Sequence, residues 1–112
     1  DFKPNVVFIN SPNDTHQDHR NGAKAAISAS RYIPIVLFYQ TPSSTRYFNP
    51  QLFIDISKYI KLKTKAVRFH KSQGKNVYMA ETAIIGLSKF LGLQIYRNKE
   101  YFEGFEIFQF IL

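Results

Sequence analysis

The apolar positions of this chain follow two different spacings, which together predict an α/β fold. Four short apolar runs, at residues 6–9, 33–39, 52–56 and 105–112, are bounded by turn-forming residues and predict strands. Helical spacing predicts helices from about residue 18 to 31, from 58 to 71 and from 80 to 91. The order strand, helix, strand, strand, helix, helix, strand indicates a mainly parallel sheet flanked by helices.

Local signals suggest where these elements begin and end. Thr15 with Asp18 fits a capping box before the alanine-rich first helix, and Ser57 is a candidate N-cap for the second. Gly92 stands where the third helix is expected to end. The run at residues 33–39 is almost wholly apolar, so we expect a strand buried on both faces beside the strand at residues 6–9. Four short strands are few for a covered parallel sheet, which suggests part of a larger one.

The second predicted helix has an apolar side and a basic side. The apolar residues at helical spacing are Tyr59, Leu62, Ala66 and Phe69. The basic stripe consists of Lys58, Lys61, Lys65 and Arg68. Fifteen Lys and Arg against eight Asp and Glu give the chain a formal charge of +7, so an anionic partner is a possibility that this stripe keeps open. A basic stripe is usually the solvated side of its helix, and no nucleic-acid-binding motif accompanies it, so we expect no nucleic acid partner.

Composition limits the class of protein. At 112 residues the chain is one domain at most, and 45% hydrophobic residues are too many for a disordered chain. It contains no cysteine, so any metal must be held by His, Asp or Glu, and a reducing, cytoplasmic compartment is favoured. No run approaches the roughly 18 to 20 apolar residues of a membrane span. The composition does not decide between a monomer and a homo-oligomer.

The stretch "NDTHQDHRNGAKAA", residues 13–26, carries the chemistry. His16 and His19 lie three residues apart around Asp18, at the expected mouth of the first helix. This arrangement has two interpretations: an ordinary helix cap, or part of a metal site that needs further ligands. A helix N-terminus favours a neutral imidazole, as a metal ligand must be, whereas a neighbouring carboxylate favours the protonated ring that a general acid needs.

Longer segments resemble one known family. "DTHQDHRNGAKAA" resembles the second signature of the LmbE/PIG-L family of zinc-dependent N-deacetylases, Thr-His-Pro-Asp-His-Arg before an alanine-rich helix. "VLFYQTPSSTRYFNPQLFIDISKYIKLKTKAVRFHKSQ" and "EYFEGFEIF" are similar to later segments of that family, in the same order. The resemblance covers nearly the whole chain and implies a Rossmann-like layered fold.

The resemblance also implies roles for individual residues. His19 would be a zinc ligand. His16 would be a protonated imidazole that stabilises the oxyanion and then serves the leaving amine, and Asp18 would orient His16 and support its charge. Arg20 and the pair Ser72 and Gln73 match positions with structural roles, and Gln17 replaces the family's usual proline. The reaction would be zinc-assisted hydrolysis of an N-acetyl group from an N-acetylglucosamine-like substrate.

One departure from the family limits these expectations. The family's first signature, His-Pro-Asp-Asp-Glu, supplies the other zinc ligands and the aspartate that activates water, and nothing here resembles it. Residues 12–14, Pro-Asn-Asp, lack the histidine and the paired acids. We therefore expect residues 1–112 to be a single-domain fragment, the C-terminal half of such an enzyme without its N-terminal part. This segment alone would be inactive.

Two other functions remain in view. The chain could be a binding module whose basic helix meets anionic partners, or a relative that has lost catalysis and serves in assembly. His70, the remaining histidine, is more typical of a structural residue than of a third ligand. The sequence upstream of residue 1 would discriminate these functions, because a strand followed by His-Pro-Asp-Asp would favour the enzyme. The loop at residues 41–46 would border the substrate pocket or simply lie at the surface.

Overall fold

The structure, a computed structural model, describes residues 2–69 and 81–112. In chain order its elements are β1 (Val6–Asn10), α1 (Gln17–Ala29), β2 (Ile35–Tyr39), β3 (Leu52–Asp55), α2 (Ile60–Arg68), α3 (Glu81–Gln94) and β4 (Phe102–Phe110). The predicted α/β class is confirmed. Expectations for His70, Ser72, Gln73 and Ala80 fall outside the described residues. Within the described ranges, every helix is too short or too polar to cross a membrane.

The strands β1 and β2 are parallel neighbours joined through α1, as predicted. Val6 lies opposite Ile35, and the register continues to Asn10 opposite Tyr39. The middle three residues of β2 are buried, in agreement with the continuous apolar run. In β1, however, Val6 and Phe8 are exposed and Ile9 is buried, so this strand buries one side only.

The sheet is mixed, so the structure confirms the parallel pair of β1 and β2 and adds an antiparallel strand to the mainly parallel sheet that was predicted. Its strand order is β1-β2-β4-β3, and β4 runs antiparallel to β2, with Phe105 opposite Tyr39. The polar residues of β4, which are Glu103, Glu106 and Gln109, are half-buried, and its exposed residues are the apolar Ile107, Phe108 and Phe110.

The chain divides into two compact units, residues 1–52 with 104–112 and residues 53–103. The core of the first unit consists of Ile9, Ala23, Val36 and Phe38. Ala23 is fully buried, so α1 packs closely through a small side chain. Whether the chain is a single-domain fragment stays a prediction.

In the second unit, α2 differs from the prediction in its buried side and in its N-cap. Its buried residues are Ile60 and Thr64. The apolar stripe predicted to be its packed side is exposed at Tyr59, Leu62, Ala66 and Phe69. The side chain of Ser57 does not cap α2: its hydroxyl accepts the backbone N–H of Tyr101 at 2.9 Å, and the N-cap position is Tyr59.

The end of α3 also differs from the expectation, because Gly92 does not terminate it. The helix continues to Gln94, and the chain reverses at Tyr96, which has a left-handed φ of 60°. The N–H of Arg97 donates to the carbonyl of Gly92 at 2.8 Å, and the N–H of Tyr96 donates to Leu93 at 3.1 Å. This pair of bonds is the Schellman pattern of helix ends. Gly92 is needed for space, since a Cβ there would lie 2.6 Å from the carbonyl oxygen of Arg97.

Candidate functional site

The candidate site lies in the first unit, where β1 and β2 end. The segment between β1 and α1 is joined to the loop after β2 by two backbone hydrogen bonds. The N–H of Thr15 donates to Ser43 at 2.9 Å, and the N–H of Thr45 donates to Asn13 at 2.9 Å. An isolated antiparallel bridge links Asp14 to Ser44. The start of α1 is therefore held against residues 41–45, at the sheet edge where open α/β folds place ligands.

His16 is the N-cap of α1, so the predicted cap at Thr15 is wrong. The Nδ1 atom of His16 accepts the backbone N–H of Asp18 at 3.1 Å. The hydroxyl of Thr15 instead donates to the carbonyl of Ser43 at 3.0 Å. Both interpretations of the histidine pair, a helix cap and part of a metal site, therefore apply to His16. Its ring caps α1 and also lies beside the ring of His19.

The structure places the three predicted site residues in a single helical turn. The rings of His16 and His19 are stacked, with centroids 4.5 Å apart and an interplanar angle of 17°. Asp18 meets His16 through its backbone N–H, and its side chain is exposed. The proposed support of His16 by the Asp18 carboxylate stays a prediction.

Three hydrogen-bond partners hold His19 in place. Its Nδ1 atom is 2.9 Å from Oδ2 of Asp14 and 3.1 Å from the hydroxyl of Ser43. Its carbonyl accepts the side-chain amide of Asn10, the last residue of β1, at 2.8 Å. The His19 side chain is 39% exposed, whereas that of Asp14 is fully buried at 0%. One edge of the ring is thus anchored in the protein while part of the ring reaches solvent.

Asp14 is the site residue that the sequence reasoning missed. Its Oδ1 atom accepts the N–H of His16 at 2.8 Å, and its Oδ2 atom accepts the hydroxyl of Thr41 at 2.6 Å. Burial raises the pKa of Asp14, but the bonds from Thr41 and from the His16 N–H lower it. Bonds from Ser43 and His19 lower it further, so the pKa of Asp14 lies well below its usual range. Asp14 is therefore an ionised carboxylate inside the protein.

Two further contacts stabilise the same junction. Ser11 is fully buried and its hydroxyl donates to Oε1 of Glu106 in β4 at 3.0 Å. The guanidinium of Arg20 donates to the main-chain carbonyl of Asp14 at 2.9 Å, which agrees with the structural role expected for Arg20. These contacts hold the backbone on both sides of Asp14.

The donor set suits one position of a zinc site. Zinc takes neutral imidazole nitrogens, usually from a histidine whose other ring nitrogen is held by a carboxylate or carbonyl, and His19 has this arrangement. Across residues 2–69 and 81–112, no group of three or more His, Asp or Glu side chains is close enough to hold a metal ion. His19 therefore fits as one ligand, and the described residues do not form a complete coordination sphere.

Comparison with known proteins gives a partial relationship to a deacetylase. No protein-family model matches the chain. Over 67 residues the chain is 42% identical to a protein of Escherichia coli (strain K12) named uncharacterized deacetylase YaiS. The match covers 59% of this chain and 36% of YaiS. The identity indicates a deacetylase-like relationship for that part of the chain.

A solved structure shares the fold over a longer range. The conserved protein TT1542 from Thermus thermophilus matches with a TM-score of 0.75 and 24% sequence identity. The match covers 97% of this chain and 53% of that protein. The chain thus has the fold of about half of TT1542.

Proposed function

We propose that this chain contributes one zinc ligand and one hydrogen-bond donor to a zinc-dependent N-deacetylase of the LmbE/PIG-L type. The substrate would be an N-acetylglucosamine-like amino sugar, and the reaction would release acetate. Two observations support this proposal: the partial identity to a protein named as a deacetylase, and the "THQDHR" segment. The chain spans about half of its structural relative, so the other ligands are expected from sequence outside it.

The observation that carries the proposal is the stacked histidine pair at the start of α1. A metal-dependent amide hydrolase needs a ligand and a hydrogen-bond donor near the same carbonyl group. His16 and His19 lie side by side with ring centroids 4.5 Å apart, and each ring has its Nδ1 atom engaged by the protein. Each Nε2 is then the nitrogen available for chemistry.

The two rings have different hydrogen-bond roles. Because Nδ1 of His16 accepts the Asp18 N–H, that nitrogen carries a lone pair. We therefore propose a neutral ring with its proton on Nε2, in place of the protonated ring that the resemblance implies. His16 can therefore donate from Nε2 to the substrate oxygen as negative charge develops there. His19 instead supplies an imidazole lone pair to the metal. Zinc, when bound, would polarise the acetyl carbonyl and activate water.

The test is acetate release by the full-length protein that carries this sequence. With N-acetylglucosamine derivatives as substrates, we expect turnover that a chelator abolishes and that added zinc restores. Residues 1–112 alone should release no acetate, because the described residues offer one ligand. Turnover that is insensitive to chelation would contradict zinc dependence. No turnover by the zinc-loaded full-length protein would favour the inactive assembly role instead.

A further inference from the structure

We propose that Asp14 is a positioning residue for His19: its buried carboxylate, anchored by Thr41, holds the imidazole as the tautomer that leaves Nε2 free to bind a metal. The inference builds on the proposed zinc function, but its first test needs no metal. It gives a role in the site to a residue that lies outside the His-x-Asp-His segment.

The two oxygens of Asp14 have separate partners. Oδ1 accepts the backbone N–H of His16 at 2.8 Å, so it serves the start of α1. Oδ2 accepts the hydroxyl of Thr41 at 2.6 Å and lies 2.9 Å from Nδ1 of His19. Oδ1 therefore stabilises the start of α1, and Oδ2 contacts the imidazole ring of His19.

The contact with Oδ2 determines which ring nitrogen carries the proton. Both oxygens of Asp14 act as acceptors, Oδ1 from the His16 N–H and Oδ2 from the Thr41 hydroxyl. A lone pair on Nδ1 of His19 facing that oxygen at 2.9 Å would be repulsive, and the Ser43 hydroxyl at 3.1 Å can accept from the same nitrogen, so we infer that Nδ1 carries the proton. In the neutral ring the lone pair is then on Nε2. A carboxylate behind a ligating histidine is a recurrent feature of zinc sites, where it fixes the tautomer and the ring orientation.

Thr41 connects this arrangement to the end of β2. It lies 27 residues after Asp14 in the sequence, and its hydroxyl donates the shortest of the hydrogen bonds described for Asp14, at 2.6 Å. The backbone N–H of Thr41 donates to the hydroxyl of Ser44 at 2.8 Å, which holds the residue within its own loop. The segments that follow β1 and β2 thus together fix the position of the Asp14 carboxylate. We infer that this carboxylate in turn fixes the orientation of the His19 ring.

The variant Asp14→Asn separates the two tasks of Asp14. The backbone N–H of His16 is a fixed donor, so the amide oxygen of Asn must take the place of Oδ1. The NH2 group then takes the place of Oδ2 and presents donors to Thr41 and His19. The Thr41 hydroxyl can rotate to accept, whereas His19 can accept only if its proton moves from Nδ1 to Nε2. The helix cap is retained and the tautomer changes.

The first experiment reads the tautomer directly in the metal-free full-length protein. With ¹⁵N-labelled histidine, we expect wild-type His19 to show a protonated Nδ1 and an unprotonated Nε2, with its signals assigned by their loss in His19→Gln. In Asp14→Asn the pattern should reverse. Thr15→Val is the matched control, because it removes a neighbouring hydroxyl that donates to Ser43 and does not contact Asp14. Its spectrum should match wild type, and an unchanged tautomer in folded Asp14→Asn would overturn the proposal.

The second experiment measures zinc affinity of the same proteins by competition with a chelating dye. Asp14→Asn should bind zinc about 10- to 100-fold more weakly than wild type, the usual effect of losing such a partner. Thr15→Val should bind as wild type does. Equal affinity of Asp14→Asn and wild type would overturn the positioning role while leaving the zinc function intact. A reversed tautomer with no zinc binding by any variant would support the positioning role and contradict the proposed function.

Variants of Thr41 keep the proposal testable should Asp14→Asn fail to fold. Thr41→Val removes the hydroxyl that anchors Oδ2, and Thr41→Ser keeps it. We expect weaker zinc binding and loss of the single His19 tautomer in Thr41→Val, with both properties restored in Thr41→Ser. If Thr41→Val kept the wild-type tautomer and affinity, the anchoring role of Thr41 would be wrong.

Discussion

Two helix ends in this molecule are stabilised in different ways. At the start of α1, side chains satisfy the backbone: His16 accepts the N–H of Asp18, and Asp14 accepts the N–H of His16. At the end of α3, the backbone satisfies itself, since the N–H groups of Tyr96 and Arg97 donate to carbonyls of the last turn. The start of α1 therefore depends on specific side chains. The end of α3 depends on the left-handed backbone at Tyr96 and on the absence of a side chain at Gly92.

The difference indicates where chemistry can be built. A helix end that is capped by backbone hydrogen bonds does not need particular side chains. Its residues can change as long as they can adopt the backbone conformation of the turn. The start of α1 caps the helix with the same imidazole and carboxylate that orient the stacked histidines. Substitutions of Asp14 and His16 should therefore affect stability and function together, whereas those at the end of α3 should affect stability alone.

The largest expected stability effect is at Asp14. Asp14→Ala would remove the buried carboxylate that accepts the Thr41 hydroxyl and the His16 N–H, and the loss of their acceptor by these partly buried donors destabilises the folded state. We expect a loss of about 3 kcal/mol in the free energy of unfolding. Urea denaturation of the full-length protein measures it. A loss no larger than that of the exposed-site variant Thr15→Val would show that Asp14 is not the centre of the network.

A smaller loss is expected at the end of α3. In Gly92→Ala the new Cβ would meet the Arg97 carbonyl at 2.6 Å, and backbone cannot move away as easily as a side chain. We expect destabilisation by about 2 kcal/mol. Gly86→Ala in the same helix is the control, because nothing lies within 4 Å of its new methyl group. That variant should gain about 1 kcal/mol, and equal effects at both glycines would contradict the close approach.

Relief of strain at Tyr96 is expected to have a smaller effect of opposite sign. Tyr96 has a left-handed φ of 60° and is 91% exposed, so its side chain contributes little packing. Tyr96→Gly should stabilise the protein by about 1 kcal/mol, because glycine adopts this conformation without steric cost. Tyr96→Ala keeps the strain and should show no such gain in the same denaturation experiment. Acetate release should be unchanged in both.

The smallest expected effect is on the free energy of unfolding at acidic pH. The pKa of Asp14 is lowered in the folded state, so the unfolded chain binds protons first as pH falls. The stabilisation from ionised Asp14 is present above its unfolded pKa near 3.9 and is lost progressively below it. From pH 5 to about pH 3.5 this loss amounts to about 0.7 kcal/mol. Asp14→Asn should lack that part of the pH dependence in parallel urea titrations, and an identical acid limb would contradict the lowered pKa.

The part of the fold with strong local signals was predictable from the sequence. The continuous apolar run of β2 and the alanine-rich start of α1 indicated the parallel β1 and β2 pair, which the structure confirms. The direction of β4 could not be predicted, because the apolar run at residues 105–112 indicates a strand and not its direction. Its antiparallel pairing with β2 depends on contacts between residues distant in the sequence.

The candidate site was predictable in its histidines but not in its carboxylate. His16 and His19 stand out because their spacing places them in one helical turn, as found. Asp14 was missed because its partner Thr41 is distant in sequence and meets it only through the pairing of two loops. A weak local signal existed, since an aspartate two residues before a helix cap often accepts a backbone N–H.

The division of roles between His16 and His19 is the central claim, and zinc content measured with turnover in the full-length protein tests it most directly. In His19→Ala zinc and turnover should fall together, because a ligand is lost. In His16→Ala zinc should remain while turnover falls by about 100- to 1000-fold, the usual loss for one oxyanion donor. Asp18→Asn should lower turnover less than His16→Ala does, because the backbone N–H that donates to Nδ1 of His16 is kept. Equal loss of zinc in both histidine variants, or full turnover in His16→Ala, would contradict this account.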